Sequence, residues 1–201
     1  TLFPYTTLFR SLMINIDNKK IVVIGGGNVA FRKAKKLLEF GACVTVVSPN
    51  ILEKFNSLKV KFNDKLKIIE DYFKSTYIED AYLVIGATSD KNINKEISNY
   101  CRNKNILCNI VDNIKESDFI VPSSIKRGDL VISVSTMGKS PMLASKIRKE
   151  LEEKYTDEYE EYIFLLGEAR NIILQKFNDE EKRQMLKSII EDRKSTRLNS
   201  S

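Results

Sequence analysis

The sequence predicts an α/β protein whose main domain is a doubly wound parallel sheet. Three observations support this prediction: apolar strands alternate with amphipathic helices, the strands are apolar along their whole length, and the first ends in three glycines. Strands without polar alternation are typical of parallel sheets that helices cover on both faces. Right-handed crossover connections then place those helices on opposite faces.

The region before Asp112 provides the elements of this sheet. Apolar runs predict five strands, at 20–24, 43–47, 66–69, 82–85 and 106–111. The first connecting helix follows the glycines, with Gly41 as the residue just beyond its end. Two more helices are expected, over about 50–58 and about 91–103. Ser89-Asp90 can cap the second of these.

A small α/β segment is expected after Asp112. Phe119–Val121 and Leu130–Val134 have the composition of two hairpin strands, and 126–129 between them has turn chemistry. Ser140 then caps a helix in which Pro141 takes the first position.

The C-terminal region is predicted to be helical. The spacing of its apolar residues predicts one helix over about 157–176. A further helix begins at Asn178, which forms a capping-box-like pair with Glu181.

Composition excludes several kinds of chemistry. The chain has 201 residues and no histidine, which removes Ser-His-Asp and Cys-His nucleophile arrangements and imidazole metal ligands. The three cysteines form no CxxC pair, which indicates free thiols in a reducing compartment. No apolar run approaches the roughly 20 residues of a membrane span, and the start lacks a secretory pattern. We therefore expect a cytoplasmic protein with no membrane partner and no metal site.

The net charge of +6 at first favours a nucleic-acid partner. Residues 1–11 and 193–201 carry much of this charge, with four basic and no acidic residues, and they differ in composition from the remainder. We interpret them as non-native flanks, with natural disordered tails as the alternative. Without them the net charge is +2. Because no basic helix or basic-aromatic strand pattern is present, no nucleic-acid partner is expected.

The glycine run carries the first indication of a ligand. The segment Gly25-Gly26-Gly27-Asn28-Val29-Ala30 fits the pattern G-x-G-x-x-A and stands between a strand and a helix. The first glycine permits a tight turn, the second lets a pyrophosphate approach the backbone, and the alanine allows close packing of helix on sheet. The helix N-terminus at Asn28 can receive the phosphates. The pattern predicts dinucleotide binding, with a purely structural turn as the alternative.

The end of the second strand bears on which dinucleotide binds. The acidic residue that usually contacts the adenine ribose would fall near residue 48, where the chain has Ser48-Pro49-Asn50. Ser48 or Asn50 could hydrogen-bond a ribose hydroxyl, and the lack of an arginine favours NAD over NADP. The residues predicted to bind the cofactor are Gly25, Gly26, Gly27, Asn28, Val29, Ser48, Pro49, Asn50 and Thr88.

Four segments occur in order along the chain: VVIGGGNVAFRKAKKLLEFGACVTVVSP (22–49), VIGATSDKNINKEIS (84–98), CNIVDNIKESDFIVPS (108–123) and SVSTMGKSPMLASKIRKEL (133–151). Together they resemble the N-terminal domains of siroheme synthases, the family of precorrin-2 dehydrogenases, some of which are also sirohydrochlorin ferrochelatases. The resemblance implies NAD-dependent oxidation of precorrin-2 to sirohydrochlorin by a homodimer. It also implies a Rossmann-like domain, a dimerisation segment and a helical C-terminal domain, at 12–115, 116–151 and 152–192.

Asp112 is the candidate catalytic residue. It follows the fifth predicted strand, and open α/β sheets bind ligands at the carboxyl ends of their strands. A carboxylate there could take a proton from the tetrapyrrole while hydride leaves for the nicotinamide. The resemblance places the family's proposed catalytic aspartate at this position. The alternative is an aspartate that only ends a strand with a local turn.

The substrate residues are predicted from the acetate and propionate groups on the rim of precorrin-2. Such groups need hydrogen-bond donors and positive charge. The candidates near the hairpin and the following helix are Ser123, Ser124, Lys126, Arg127, Thr136, Lys139 and Ser140. For each lysine alone, a solvated surface position is the alternative.

Two other functions remain open at this point. The enzyme could also insert iron into sirohydrochlorin, in which case Asp112 would have to act as the base because histidine is absent. The domain could instead be a non-catalytic NAD-sensing module, which would need the glycine turn but not Asp112.

Overall fold

The first five strands are β1 (Lys20–Ile24), β2 (Cys43–Val47), β3 (Leu66–Ile69), β4 (Leu83–Gly86) and β5 (Leu107–Ile110). All pair in parallel, in the order β3-β2-β1-β4-β5. The chain therefore starts at the centre of the sheet, builds one side and crosses back to build the other. This order confirms the predicted doubly wound fold and puts a topological switch point between β1 and β4.

This computed structural model describes residues 11–111 and 113–198, with side chains described to residue 190. The chain divides into two compact units, and the boundary follows Val121. The five predicted strands lie in the first unit. The domain boundaries expected at 115 and 151 stay predictions. None of the described helices is both long and apolar enough to cross a bilayer.

Two apolar clusters cover the two faces of the sheet. Ile21 and Val23 belong to the cluster beneath α1 (Asn28–Glu39), whereas Val22 and Ile24 belong to the cluster beneath α3 (Lys91–Lys104). Because successive side chains of a strand point to opposite faces, a strand covered on both sides must be apolar throughout. This explains the uninterrupted apolar run of β1.

The helix expected over 50–58 begins later than predicted: α2 covers Phe55–Lys61. The amide of Leu52 donates to the carbonyl oxygen of Gly26 at 3.1 Å, so the preceding segment packs on the glycine turn instead of coiling. The other helices of this unit agree with expectation: Gly41 lies just beyond the end of α1 at φ +87°, and Asp90 caps α3.

The strand expected at Phe119–Val121 is wrong. The carbonyl oxygen of Phe119 accepts from Asn109 Nδ2 at 2.8 Å, and the amide of Asp118 donates to the carbonyl oxygen of Cys108 at 2.8 Å. These bonds hold the segment beside β5, where it covers the exposed edge of the sheet.

The second unit contains the hairpin, whose strands are β6 (Ser123–Arg127) and β7 (Leu130–Val134). The turn is therefore only Gly128-Asp129, and Gly128 adopts φ +55°, a backbone conformation that favours glycine. Helices α4 (Pro141–Lys154) and α5 (Glu158–Lys176) pack on the hairpin, and α6 (Asp179–Leu198) packs on α5. The amide of Glu181 donates to Asn178 Oδ1 at 3.1 Å, and Glu181 Oε2 accepts from the amide of Asn178 at 3.2 Å, which confirms the predicted capping box.

Candidate functional site

The glycine turn lines a cavity of about 680 Å³ at the carboxyl ends of the strands. Small-molecule pockets in proteins commonly measure about 300–1,000 Å³. The cavity lies at the switch point between β1 and β4, where the loops after these strands diverge. All nine residues predicted to bind the cofactor line it: Gly25, Gly26, Gly27, Asn28, Val29, Ser48, Pro49, Asn50 and Thr88.

The three positions of the glycine pattern differ in their surroundings. Gly25 adopts φ +126°, and a Cβ atom on it would lie 2.4 Å from the carbonyl oxygen of Ala87, so only glycine fits. A Cβ atom on Gly27 would have no neighbour within 4 Å, so this residue presents bare backbone to the cavity. Ala30, in the first turn of α1, is fully buried in the apolar cluster between this helix and the sheet. These environments suit a tight turn, the approach of a phosphate and close packing, respectively.

Gly26 occupies the variable position of the pattern, and the sequence reading assigned it no separate role. A Cβ atom on it would lie 2.1 Å from the carbonyl oxygen of Asn50. Its own carbonyl oxygen accepts from the amide of Leu52. The loop after β2 therefore packs directly on the glycine turn. In the sequence, the third consecutive glycine was the feature that could have indicated this close approach.

The N-terminus of α1 opens on the cavity through Asn28. Its first turn contains no acidic residue, and Lys54 Nζ donates to Asn28 Oδ1. The Lys54 ammonium also lies 4.5 Å from the centre of the Phe31 ring, within the range of a cation–π contact. The end of the helix dipole and this cation make the region favourable for an anion.

The residues that replace the usual ribose-binding acid form a tight local turn. Ser48 Oγ donates to the carbonyl oxygen of Asn50 at 2.9 Å, and the amide of Ser48 donates to the carbonyl oxygen of Ile69 at 3.1 Å. Pro49 and Asn50 are exposed at the cavity. A ligand here meets hydroxyl, amide and backbone groups.

Beyond β4 the cavity is lined by the loop that enters α3. Thr88 Oγ1 donates to Asn94 Oδ1 at 2.9 Å, and Asn94 Nδ2 donates to the carbonyl oxygen of Thr88 at 3.0 Å. Asp90 Oδ1 accepts from the amides of Asn92 and Ile93 and so caps α3. Hydrogen bonds within this loop and the first turn of α3 thus hold the side chains of Thr88, Asp90 and Asn94.

Tyr72 and Phe73 also line the cavity, and the sequence reading missed them. They follow β3 and flank a hydrogen-bonded cluster centred on Asp71. Asp71 Oδ2 accepts from Lys74 Nζ and from the Tyr77 hydroxyl, each at 2.5 Å. These bonds lower the pKa of Asp71 to about 2, the lysine contributing most. Two consecutive aromatic residues shortly after the end of a predicted strand were the sequence feature that could have identified this side of the cavity.

Asp112, the predicted catalytic residue, lies outside the described residues. Its neighbour Val111 lines the cavity, and the Val111 amide donates to the carbonyl oxygen of Gly86 at 2.9 Å. On the other side, Ser117 Oγ donates to the carbonyl oxygen of Asn113 at 2.8 Å and accepts from the amide of Ile110 at 2.9 Å. The chain that flanks Asp112 is therefore bonded to β4 and β5.

The predicted substrate residues lie in the second unit, in two groups. Ser123, Ser124, Lys126 and Arg127 belong to β6, and Thr136, Lys139 and Ser140 form the loop into α4. Thr136 Oγ1 accepts from the Ser140 amide at 3.0 Å, and Ser140 Oγ accepts from the Leu143 amide as the helix cap.

The guanidinium group of Arg127 is engaged within the second unit. Arg127 Nε donates to the carbonyl oxygen of Tyr155 and pairs with Asp157 Oδ1, both at 3.0 Å. Its side chain is 17% exposed. These contacts tie β6 to the start of α5, which is a structural role.

Comparison with known proteins identifies relatives of both units. The model of a family described as putative NAD(P)-binding matches residues 12–123, and that of the sirohaem biosynthesis protein central family matches 127–154. A siroheme synthase of Tolumonas auensis is 36% identical over 85% of this chain and 36% of its own length. A siroheme synthase of Psychromonas ingrahamii is 41% identical over 72% of this chain and 30% of its own. The chain thus spans about a third of the length of these curated relatives.

One solved structure is similar over nearly the whole chain. It is described as SirC, precorrin-2 dehydrogenase, and superposes with a TM-score of 0.74 at 26% sequence identity. The match covers 90% of this chain and 89% of the other. It therefore extends through both the parallel sheet and the second unit.

Proposed function

The chain belongs to the NAD(P)-binding family that siroheme synthases and precorrin-2 dehydrogenases share, and from this premise we propose that it oxidises precorrin-2 to sirohydrochlorin with NAD. The observation that carries the proposal is the cavity at the switch point, which all nine predicted cofactor residues line. The similarity to a precorrin-2 dehydrogenase along both units supports the choice of substrate.

The residues of the cavity fit a dinucleotide. Gly27 offers bare backbone, and the amides at the start of α1 face the cavity without a nearby acidic side chain in the first turn. These groups would hold the pyrophosphate. Ser48 and Asn50 would contact the adenine ribose. When bound, NAD supplies the acceptor for the hydride that the substrate loses.

Oxidation of precorrin-2 removes one hydride and one proton. We assign the proton to Asp112, which directly follows the cavity residue Val111 in the sequence. A carboxylate at this position can accept that proton as a general base. As candidate cations for the carboxylate groups of the substrate, we propose Lys126 and Lys139.

The experiment is a coupled assay that generates precorrin-2 in the presence of NAD, NADP or neither. Sirohydrochlorin should form with NAD and in proportion to the enzyme. Asp112→Asn should abolish its formation while NAD binding, measured by calorimetry, stays within about twofold of the wild type, because the substitution keeps the shape and removes the base. NAD binding without turnover by the wild type would contradict the proposal and favour an NAD-sensing module.

We also propose that the chain acts as a homodimer. Helices α4 and α5 carry large apolar side chains in contact with solvent, among them Met142, which is 85% exposed, and Phe164, which is 66% exposed. Exposed apolar groups of this size are typical of interaction surfaces. Sedimentation velocity should give twice the chain mass at micromolar concentration, and a Phe164→Glu variant should sediment as a monomer.

A further inference from the structure

Tyr72 is a large aromatic residue that lines the cavity, yet 72% of its surface is exposed. It leaves the sheet beside the predicted ribose-binding residues, because β2 and β3 are neighbours with Val47 paired to Ile69. The amide of Ser48 donates to the carbonyl oxygen of Ile69 and joins the two loops at their start. The ring of Tyr72 therefore belongs to the same wall as Ser48 and Asn50.

Asp71 fixes the backbone from which this ring projects. Its Oδ1 accepts from the amide of Tyr72 at 2.8 Å, and its Oδ2 accepts from Lys74 and Tyr77. The amide of Asp71 donates to the carbonyl oxygen of Ile69 at 3.1 Å. With one carboxylate joining three groups, residues 71–77 form a short closed loop that holds the aromatic ring toward the cavity.

Phe73 completes the loop from the other side. It packs against the apolar cluster beneath α3, together with Tyr77. Phe73 therefore anchors the loop in the core, whereas Tyr72 stays open. An anchored loop with an exposed ring at a cavity favours the binding of a flat ligand, because the ring can cover it without loss of further main-chain freedom.

The order of the strands indicates which part of a dinucleotide would meet Tyr72. In this fold the pyrophosphate lies at the turn after β1 and the adenine ribose at the end of β2. The next strand in that direction is β3, about 4.8 Å further along the sheet. On the opposite side, β4 and β5 lead to Thr88 and Val111.

We propose that Tyr72 is the stacking surface for the adenine ring of the cofactor and that Asp71 is the residue that positions it. This inference rests on the proposed NAD-dependent function and assigns its adenine subsite. Adenine is flat and uncharged, so an aromatic face matches it without a charged partner. Stacking on a protein aromatic ring is tolerant of its substituents, and the phenol hydroxyl is not needed.

The test uses NAD and its fluorescent analogue with 1,N6-ethenoadenine, whose emission reports on contacts of the base. Tyr72→Ala should weaken the binding of both about fivefold to tenfold, and Tyr72→Phe should bind within about twofold of the wild type. Tyr82→Ala is the matched control. Tyr82 is 39% exposed but lies before β4, away from the cavity, so its substitution should leave the affinity for both ligands unchanged.

The fluorescence lifetime supplies a readout that a merely structural role would not move. The ethenoadenine lifetime should be shorter in the wild-type complex than in the Tyr72→Ala complex, because only the wild type has the stacked tyrosine. The chain has no tryptophan that could quench the emission instead. An unchanged lifetime, or equal affinity of the wild type and Tyr72→Ala, would overturn the inference while leaving NAD binding intact. Absence of NAD binding by the wild type would instead refute the proposed function, and with it the subsite.

The positioning role of Asp71 is tested by a double-mutant cycle with Asp71→Asn. Asp71→Asn alone should weaken NAD binding about threefold. Combined with Tyr72→Ala it should add almost nothing, because both changes act through the same ring. Additive losses would show that Asp71 does not act through Tyr72.

Discussion

Gly26 lies against the main chain of Asn50 so closely that a Cβ atom on Gly26 would come within 2.1 Å of the Asn50 carbonyl oxygen. The contact joins the turn after β1 to the loop after β2. Both segments contain residues predicted to bind the cofactor, so the distance between the phosphate and ribose sites depends on this glycine. Its neighbour Gly27 has no such contact. Alanine substitutions at these two glycines should therefore have different effects on stability and on NAD binding.

Gly26→Ala should lower the free energy of unfolding by about 2–3 kcal/mol, because the Asn50 backbone cannot move aside without distorting the loop. Gly27→Ala should change the stability by less than about 1 kcal/mol but weaken NAD binding more than tenfold, since its methyl group would project where the pyrophosphate approaches. Urea unfolding and calorimetry measure the two quantities. Equal stability losses in the two variants would contradict this account of the turn.

Asp90→Ala should destabilise the protein by about 1 kcal/mol, because the amides of Asn92 and Ile93 lose the carboxylate that caps α3. Asp90→Asn should restore most of this loss, because an asparagine oxygen accepts the same bonds. Urea unfolding of the three proteins checks the prediction. If Asp90→Asn were as unstable as Asp90→Ala, charge and not capping would be responsible.

Ser117→Ala should lower the free energy of unfolding by about 1–3 kcal/mol. The buried amide of Ile110 would lose its acceptor, and the carbonyl oxygen of Asn113 would lose the hydroxyl that binds it. Ser117→Thr keeps the hydroxyl and should remain close to the wild type. Ser57→Ala, which removes a hydroxyl bonded to the exposed Lys54 carbonyl, serves as the control and should change stability little. A loss in Ser57→Ala as large as that in Ser117→Ala would contradict the prediction.

The Asp71 cluster should make stability depend on pH at the acid end. The pKa of Asp71 is lowered from an unfolded value of 3.8 to about 2 in the folded chain. The folded state therefore binds this proton less readily, and the resulting stabilisation is present above about pH 4 and lost as the pH falls toward 2. The difference in urea midpoint between the wild type and Asp71→Asn should be constant from pH 5 to 7 and shrink below pH 4. A difference that persists undiminished at pH 2.5 would exclude the cluster as its cause.

Local sequence signals predicted most elements of the first unit. The observed bounds of β1, β2 and β3 coincide with the predicted runs, which are mainly apolar because helices cover both faces of the sheet. Gly25 and Gly41 mark turns that need a positive φ, and both adopt one. Such features depend on neighbours in the chain, which is why the sequence displays them.

Contacts between distant segments explain what was missed. Phe119–Val121 has the composition of a strand, but Asn109 binds Phe119 and the backbone of Cys108 binds Asp118, which holds this segment beside β5. Helix α2 starts at Phe55, later than predicted, because the loop before it packs on Gly26. In both cases a hydrogen bond to a remote segment outweighed the local preference.

The sequence by itself determined the doubly wound sheet, the glycine turn and the family, because apolar periodicity and turn residues act over a few neighbouring positions. Only the tertiary structure decided that Gly26 must be glycine, that Arg127 is engaged with Asp157, and that Tyr72 lines the cavity with Ser48. These relations join residues far apart in the chain. The contacts of Gly26 and Tyr72 follow from the packing of the loops after β1, β2 and β3, whereas the Arg127 pair follows from the packing of α5 on β6. No local pattern encodes such packing.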